Sequence, residues 1–265
     1  MKGMEFSVLG ASVSGFGVSG WSAFCARLAG QVPGESNDLP PTSLLSARER
    51  RRSPGTVRLS LAVAEAACTQ ASLDPAEPRA VFASAMGDLE ITDYMCATLA
   101  EAPEHLSPTR FHNSVHNAAS GYWSIGARAR GDITAISAHA DSACLGLTES
   151  VLRLVESPDP VLLVCYDLAA SSPIRDVWPA EHPFAAALVI AGPDHSGAMA
   201  RLRLDTGQSP GGPSILPDGL EQLARDNPAG RLLEVLALVA DPPAAESCDL
   251  RPERGPAVRI ARIRR

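Results

Sequence analysis

SPTRFHNSVHNAASGYWSIGARARGDITAISAHADSACLG, residues 107–146, is the stretch that decides the fold of this chain. Its β-prone run from Ile133 to Ser137 leads within a few residues into a helical pattern from Leu145 to Val155, a strand passing into a helix. Its polar residues admit two readings on spacing alone. His112 and His116 are four apart, the spacing of a helical zinc pair, but Asn113 stands where HExxH has glutamate and no third ligand is evident, so no metal is expected. Alternatively, Cys144 or Ser142 could serve as a nucleophile with His139 or His116 as base, because such groups meet in space and not in sequence. Ser142 lacks the GxSxG elbow, and Cys144 lies inside the helix, where cysteine is more often a small packing residue.

The rest of the chain bounds these readings. It has 265 residues, 45% of them hydrophobic, enough for one large domain or two small ones. A formal charge of -7 and a pI near 5.4 argue against nucleic acid as a partner. The dense cationic run is Arg48, Arg50, Arg51 and Arg52, either a solvated face or a dock for an acidic carrier protein. Six cysteines without a CxxC pair indicate a reducing compartment. The amino terminus makes a weak signal peptide and no apolar run approaches the roughly 20 residues that span a bilayer, so a cytoplasmic protein is expected.

Strand and helix patterns alternate through the first 192 residues. Phe6 to Leu9 reads as a strand, followed by a loop containing Gly10, Gly15, Gly17 and Gly20 and a helix from Trp21 to Leu28. The glycine spacing does not match GxGxxG, so no dinucleotide or other cofactor is expected. Asp38 to Thr42 reads as a turn. Val57, Leu61, Ala64, Ala67 and Cys68 recur at helical spacing within 53–72. Arg79 to Ser84, Val161 to Cys165 and Ala185 to Ile190 read as strands, the second short and apolar enough to be covered on both faces. Leu89 to Leu99 reads as a helix. This order predicts a layered α/β/α domain over residues 1–192. Residues 193–265 form a shorter extension that completes or caps the sheet: a strand from Ala200 to Leu204, a flexible connection from Gly207 to Pro217, two helices broken at Asn227-Pro228-Ala229-Gly230, and an edge strand within 256–263.

Residues 107–146 resemble the β-ketoacyl synthase family, whose pattern runs from a helical asparagine and glycine, along a strand, to a cysteine at a sharp strand-to-helix turn. Asn117, Gly121, Gly131 and Ser137 fall in register with it, and Ala140 stands where the family has its cysteine. In the family that cysteine sits at a helix amino end, whose dipole favours the thiolate; a methyl group cannot attack. The likeness stops near residue 192, and the downstream HxTGT histidine is absent. It implies a thiolase-like fold, the N-terminal half followed by a truncated second half, without independent condensing activity. Over residues 5–192, LPPTSLLSARERRRS, Met86-Gly87, SVHNA with GYWSI, and SAHAD resemble the short ketosynthase-like chain-length factors of aryl polyene and xanthomonadin-type pigment clusters. The resemblance implies a catalytic ketosynthase as partner in a heterodimer, with an acyl carrier protein delivering the chain. It makes Met86, Arg110, Phe111 and His112 tunnel or gate residues, and assigns Ser114, His116, Asn117, Tyr122 and Trp123 to the interface helix. His139, Asp141 and Cys144 would surround the vacant nucleophile position.

Overall fold

A computed structural model describes residues 3–31, 42–170, 174–176, 178, 180–207, 213–240, 243–250, 252–253 and 257–263. Strand β1 (Met4–Gly15) turns back through Phe16 and Gly17, both at positive φ, into the short β2 (Val18–Ser19), the geometry of a two-residue hairpin whose twist matches its strands. Helix α1 (Trp21–Leu28) follows. Helix α2 (Ala47–Arg52) opens with a capping box between Ser46 and Glu49. Helix α3 (Gly55–Gln70) is buried along most of its length. Then come β3 (Arg79–Ala83), α4 (Leu89–Glu101), α5 (Pro108–Asn113), α6 (Ala118–Gly126), β4 (Ile133–Ile136), α7 (Ser142–Glu156), β5 (Val161–Asp167) and β6 (Phe184–Ala191). The remainder supplies β7 (Ala200–Thr206), α8 (Asp218–Asp226), α9 (Leu233–Val239), β8 (Ser247–Leu250) and β9 (Val258–Arg262).

The strands form one mixed sheet in the order β4-β3-β5-β6-β1-β7-β9-β8, with β2 paired to β1. Only β3 with β4 and β3 with β5 are parallel; the other neighbours are antiparallel. Alternation along the strands feeds two apolar layers. Val161, Leu163, Cys165, Leu188 and Ile190 face one, packed with α7 and α9. Leu162, Val164, Tyr166, Ala185 and Ala187 face the other, under α3 and α6. The expected α/β/α layering is therefore present, and strands β7, β9 and β8 continue the same sheet.

Three expectations are corrected. The first strand does not stop at Leu9, and Gly10 is not in a loop: it lies inside β1 at a register shift, with the Ala67 carbonyl oxygen 2.2 Å from where a Cβ would sit. Glycine is there because α3 crosses the strand too closely for any side chain. The strand within 256–263 is not at the edge, since β9 lies between β7 and β8. The true edge, Ser247–Leu250, is four residues long and carries a pattern too short to read. The readings at 38–41 and 208–212 lie outside the described residues.

Candidate functional site

β4 passes into α7 through a tight turn, residues 137–141, in which Ala140 stands at the position that the resemblance aligns with the family's cysteine. His139 takes φ 54°, a conformation that costs a residue other than glycine about 1–2 kcal/mol. Ser142 Oγ ties the turn together, donating to the His139 carbonyl at 2.7 Å and accepting from Ala138 N–H at 2.9 Å. Ala140 is buried in a small cluster with Ala85, Leu89, Ala170, Trp178 and Ala180. The His139 ring lies edge-on to Trp178, centroids 4.4 Å apart, and its Nδ1 is 3.9 Å from Glu253 Oε2. Asp141 is engaged as well: its Oδ1 accepts from Glu253 N–H at 2.7 Å and lies 3.6 Å from Arg231 Nη1.

The alternative nucleophiles fail on geometry and acidity. Cys144 is buried in the layer under α7, and burial, with the Asp141 charge adding to it, pushes its thiol up to about 11; thiolate is then scarce at neutral pH. Ser142 is buried and both its hydrogen-bonding directions serve the turn. The His139 ring is engaged with Trp178 and Glu253. The two histidines that suggested a zinc pair also part company. His112 is exposed on α5, whereas His116 lies beyond that helix and its Nε2 meets the Ser84 carbonyl at 3.0 Å.

The tunnel and interface candidates sort by burial. Met86 is 40% exposed in the turn after β3, and Phe111 is 59% exposed on α5. Arg110 places its guanidinium 4.0 Å from the centre of the Tyr94 ring, a cation–π contact. Ser114 is exposed and donates to the Phe111 carbonyl at 2.8 Å. Asn117 is exposed at the start of α6, and Tyr122 OH donates to Asn113 Oδ1 at 3.2 Å. Trp123 is not a contact residue: it is fully buried beneath α6, 6.2 Å from the Phe82 ring, and anchors the helix to the sheet. A groove of about 600 Å³ runs between α2, α5 and α6, with His112, Val115, Tyr122 and Ile125 among its lining. Beside it, β4 is the edge of the sheet, flanked by Ile125 (74% exposed) on α6 and by Leu145, Leu152 and Val155 on α7. A strand edge that is unpaired among the described residues, with large apolar side chains on both flanks, is a surface for another chain.

A polar centre that sequence reasoning missed lies at the carboxyl ends of β3 and β5. Asp167, buried to 3% exposure, accepts from Ser84 Oγ at 2.8 Å and from Ala85 N–H at 2.9 Å. Burial pushes its carboxyl up to about 7, against the hydrogen bonds from Ser84 and Ala85 and the nearby amides of Met86 and Ala229, neither of which closes a bond to Oδ2. The folded chain therefore holds this proton between 3.8 and about 7, where the unfolded chain has lost it. Its contribution to stability is complete below the lower value and lost as pH rises through the upper one. Asp167→Asn is expected to raise the melting temperature at pH 8 by roughly 5 °C, the difference shrinking toward pH 4, as a series of thermal melts would show.

A family model described as beta-ketoacyl synthase, N-terminal domain, matches residues 21–222, while no curated protein matches the chain. Among solved structures, the complex of the ketosynthase ApeO with its chain length factor ApeC from Xenorhabdus doucetiae gives a TM-score of 0.67 at 21% identity, covering 98% of this chain and 100% of that one. The ishigamide ketosynthase/chain length factor gives 0.64 at 14%, covering 98% and 99%. The AntDE:AntF complex, a type II polyketide synthase acyl-carrier protein with its ketosynthase bound to the hexaketide, gives 0.73 at 11%, covering 98% and 100%. Such identities establish a shared thiolase-like fold, and with a family model covering well over half of its residues the chain belongs to the beta-ketoacyl synthase N-terminal-domain family.

Proposed function

We propose that this chain is a non-catalytic chain-length factor. It pairs in the cytoplasm with a catalytic ketosynthase that elongates polyene chains bound to a carrier protein, and it sets the depth of the shared tunnel. The observation that carries this reading is the turn at 137–142: the elbow is retained, strained at His139, while Ala140 fills it with a methyl group and Cys144 and Ser142 are held in structural roles. A fold kept in working shape without its attacking group serves through its surfaces. The surface on offer is the β4 edge with its apolar flanks, next to the groove that His112 lines. The similar structures that pair a ketosynthase with a chain length factor support the same role.

The arginines of α2 fit the carrier-protein part of the proposal. Arg50, Arg51 and, from α3, Arg58 line a pocket of about 360 Å³, and among the described residues neither these nor Arg48 and Arg52 form an ion pair. An unpaired cationic patch on a chain of net charge -7 selects for an acidic partner surface.

Tunnel depth is a matter of side-chain volume, so enlargement should be read directly in the product. Coexpression with the cognate ketosynthase is expected to give a complex whose product shortens by at least one extension unit when Met86 or Phe111 becomes tryptophan, measured by mass spectrometry of the released chains. Unchanged length in both variants, in complexes that still assemble, would remove the tunnel-setting role.

A further inference from the structure

We infer that Asp167 is a positioning residue: it fixes the turn of residues 84–87 and thereby the place of Met86, an inference that rests on the chain-length reading above. Four polar atoms of the turn's backbone are held by side chains. Ser84 carbonyl oxygen takes His116 Nε2 at 3.0 Å, Ala85 carbonyl oxygen accepts from Ser137 Oγ at 2.8 Å, and Ala85 N–H donates to Asp167 Oδ1 at 2.9 Å. Gly87 N–H donates to Ser84 Oγ at 2.9 Å, and that same hydroxyl donates onward to Asp167 Oδ1 at 2.8 Å. One carboxylate oxygen therefore collects both the start of the turn and, through Ser84, its end.

The two ends of this arrangement are themselves anchored. Asn227 Nδ2 donates to the Asp167 carbonyl at 3.2 Å and to the His182 carbonyl at 2.9 Å, tying β5 to the segment after α8. On the other side Gly87, at φ 65°, passes the chain to Asp88, which accepts from Ile91 N–H at the start of α4 and from Thr56 Oγ1 of α3. Between these anchors Met86 is the side chain left half-exposed. A buried carboxylate is costly where an apolar side chain would pack more cheaply, so its presence calls for a role in geometry. Two donors converging on one oxygen specify a single turn conformation, which a methyl group in its place cannot do.

The experiment uses the complex with the cognate ketosynthase and reads the distribution of product lengths. Asp167→Ala is expected to broaden it, the share of the dominant product falling about two-fold or more as neighbouring lengths appear. Asp167→Asn keeps an acceptor oxygen at the same place and is expected to restore the native distribution; a complex whose melting temperature falls while its distribution stays native would show that stability alone does not broaden the product. Ser84→Ala, which removes the link to Gly87 and leaves the carboxylate, is expected to broaden the distribution as well, and it decides the matter if Asp167→Ala does not assemble. An unchanged distribution in an assembled Asp167→Ala or Ser84→Ala complex, with Met86→Trp still shortening the product, overturns the positioning role and leaves the chain-length reading standing. If neither Met86→Trp nor Phe111→Trp changes the product, it is that underlying reading that fails.

Discussion

The double variant Ile125→Glu, Val155→Glu is expected to separate this chain from its ketosynthase and, on the function proposed above, to abolish product formation by the pair. Ile125 on α6 and Val155 on α7 are 74% and 72% exposed, and they flank the unpaired edge of β4 from opposite sides of the sheet. In a complex these side chains would be desolvated against the partner, where a carboxylate must be buried without a counter-charge. Central interface residues of this kind cost about 2 kcal/mol or more when disrupted, so two together weaken association roughly a thousand-fold. Both positions face solvent in the isolated chain, and its melting temperature should change little. Size-exclusion chromatography of the coexpressed pair, with a melt of each variant, checks both halves. A complex that survives both substitutions would move the interface elsewhere.

Gly10→Ala should destabilise the chain by about 3 kcal/mol or more, a large share of the 5–15 kcal/mol that holds a domain together. The added Cβ would stand 2.2 Å from the Ala67 carbonyl oxygen and 2.8 Å from Ala71 N. Both are backbone atoms of the segment that crosses β1, so relief requires α3 to move away from the sheet and open the layer formed by Val57, Leu61 and Ala64. Gly121 on α6 provides the opposite case, because beyond its chain neighbours and its own helix backbone no atom lies within 4 Å of its would-be Cβ. There alanine gains helix propensity of up to about 1 kcal/mol. Urea denaturation of the two variants beside the parent should show midpoints displaced in opposite directions; a mild effect at Gly10 would mean that the helix is not seated as closely as described.

Gly10 also shows where the sequence was legible and where it was not. Glycine after a short apolar run is ordinarily a turn signal, and only the passage of α3 over it, more than fifty residues later in the chain, makes it part of a strand. The elements with strong periodicity were readable, α3 from its apolar face and β5 from its unbroken apolar run, whereas the turn at Ser137–Ala140 was read from a family resemblance and not from any periodicity. The resemblance assigned Trp123 to the interface helix, and its position along α6 turns its ring inward, where it holds that helix to the sheet. The Asp167 centre had no local signal. An aspartate closing VLLVCYD looks like a strand ending in a turn, and its partners Ser84 and Ala85 lie more than eighty residues away. Glu253 and Trp178 likewise reach His139 only through the fold.

The central placement of β1 has a consequence for how the protein is made. This first strand is hydrogen-bonded between β6 and β7, and Ser7 Oγ donates to the carbonyl of Pro193, 186 residues further along. During synthesis at roughly 5–20 residues per second, an apolar segment with both edges unpaired must wait about 10–40 s for its neighbours to leave the ribosome. Protection of that segment during translation, by a chaperone or by an interim hairpin with β2, would govern the yield of the folded chain more than the stability of the finished sheet does.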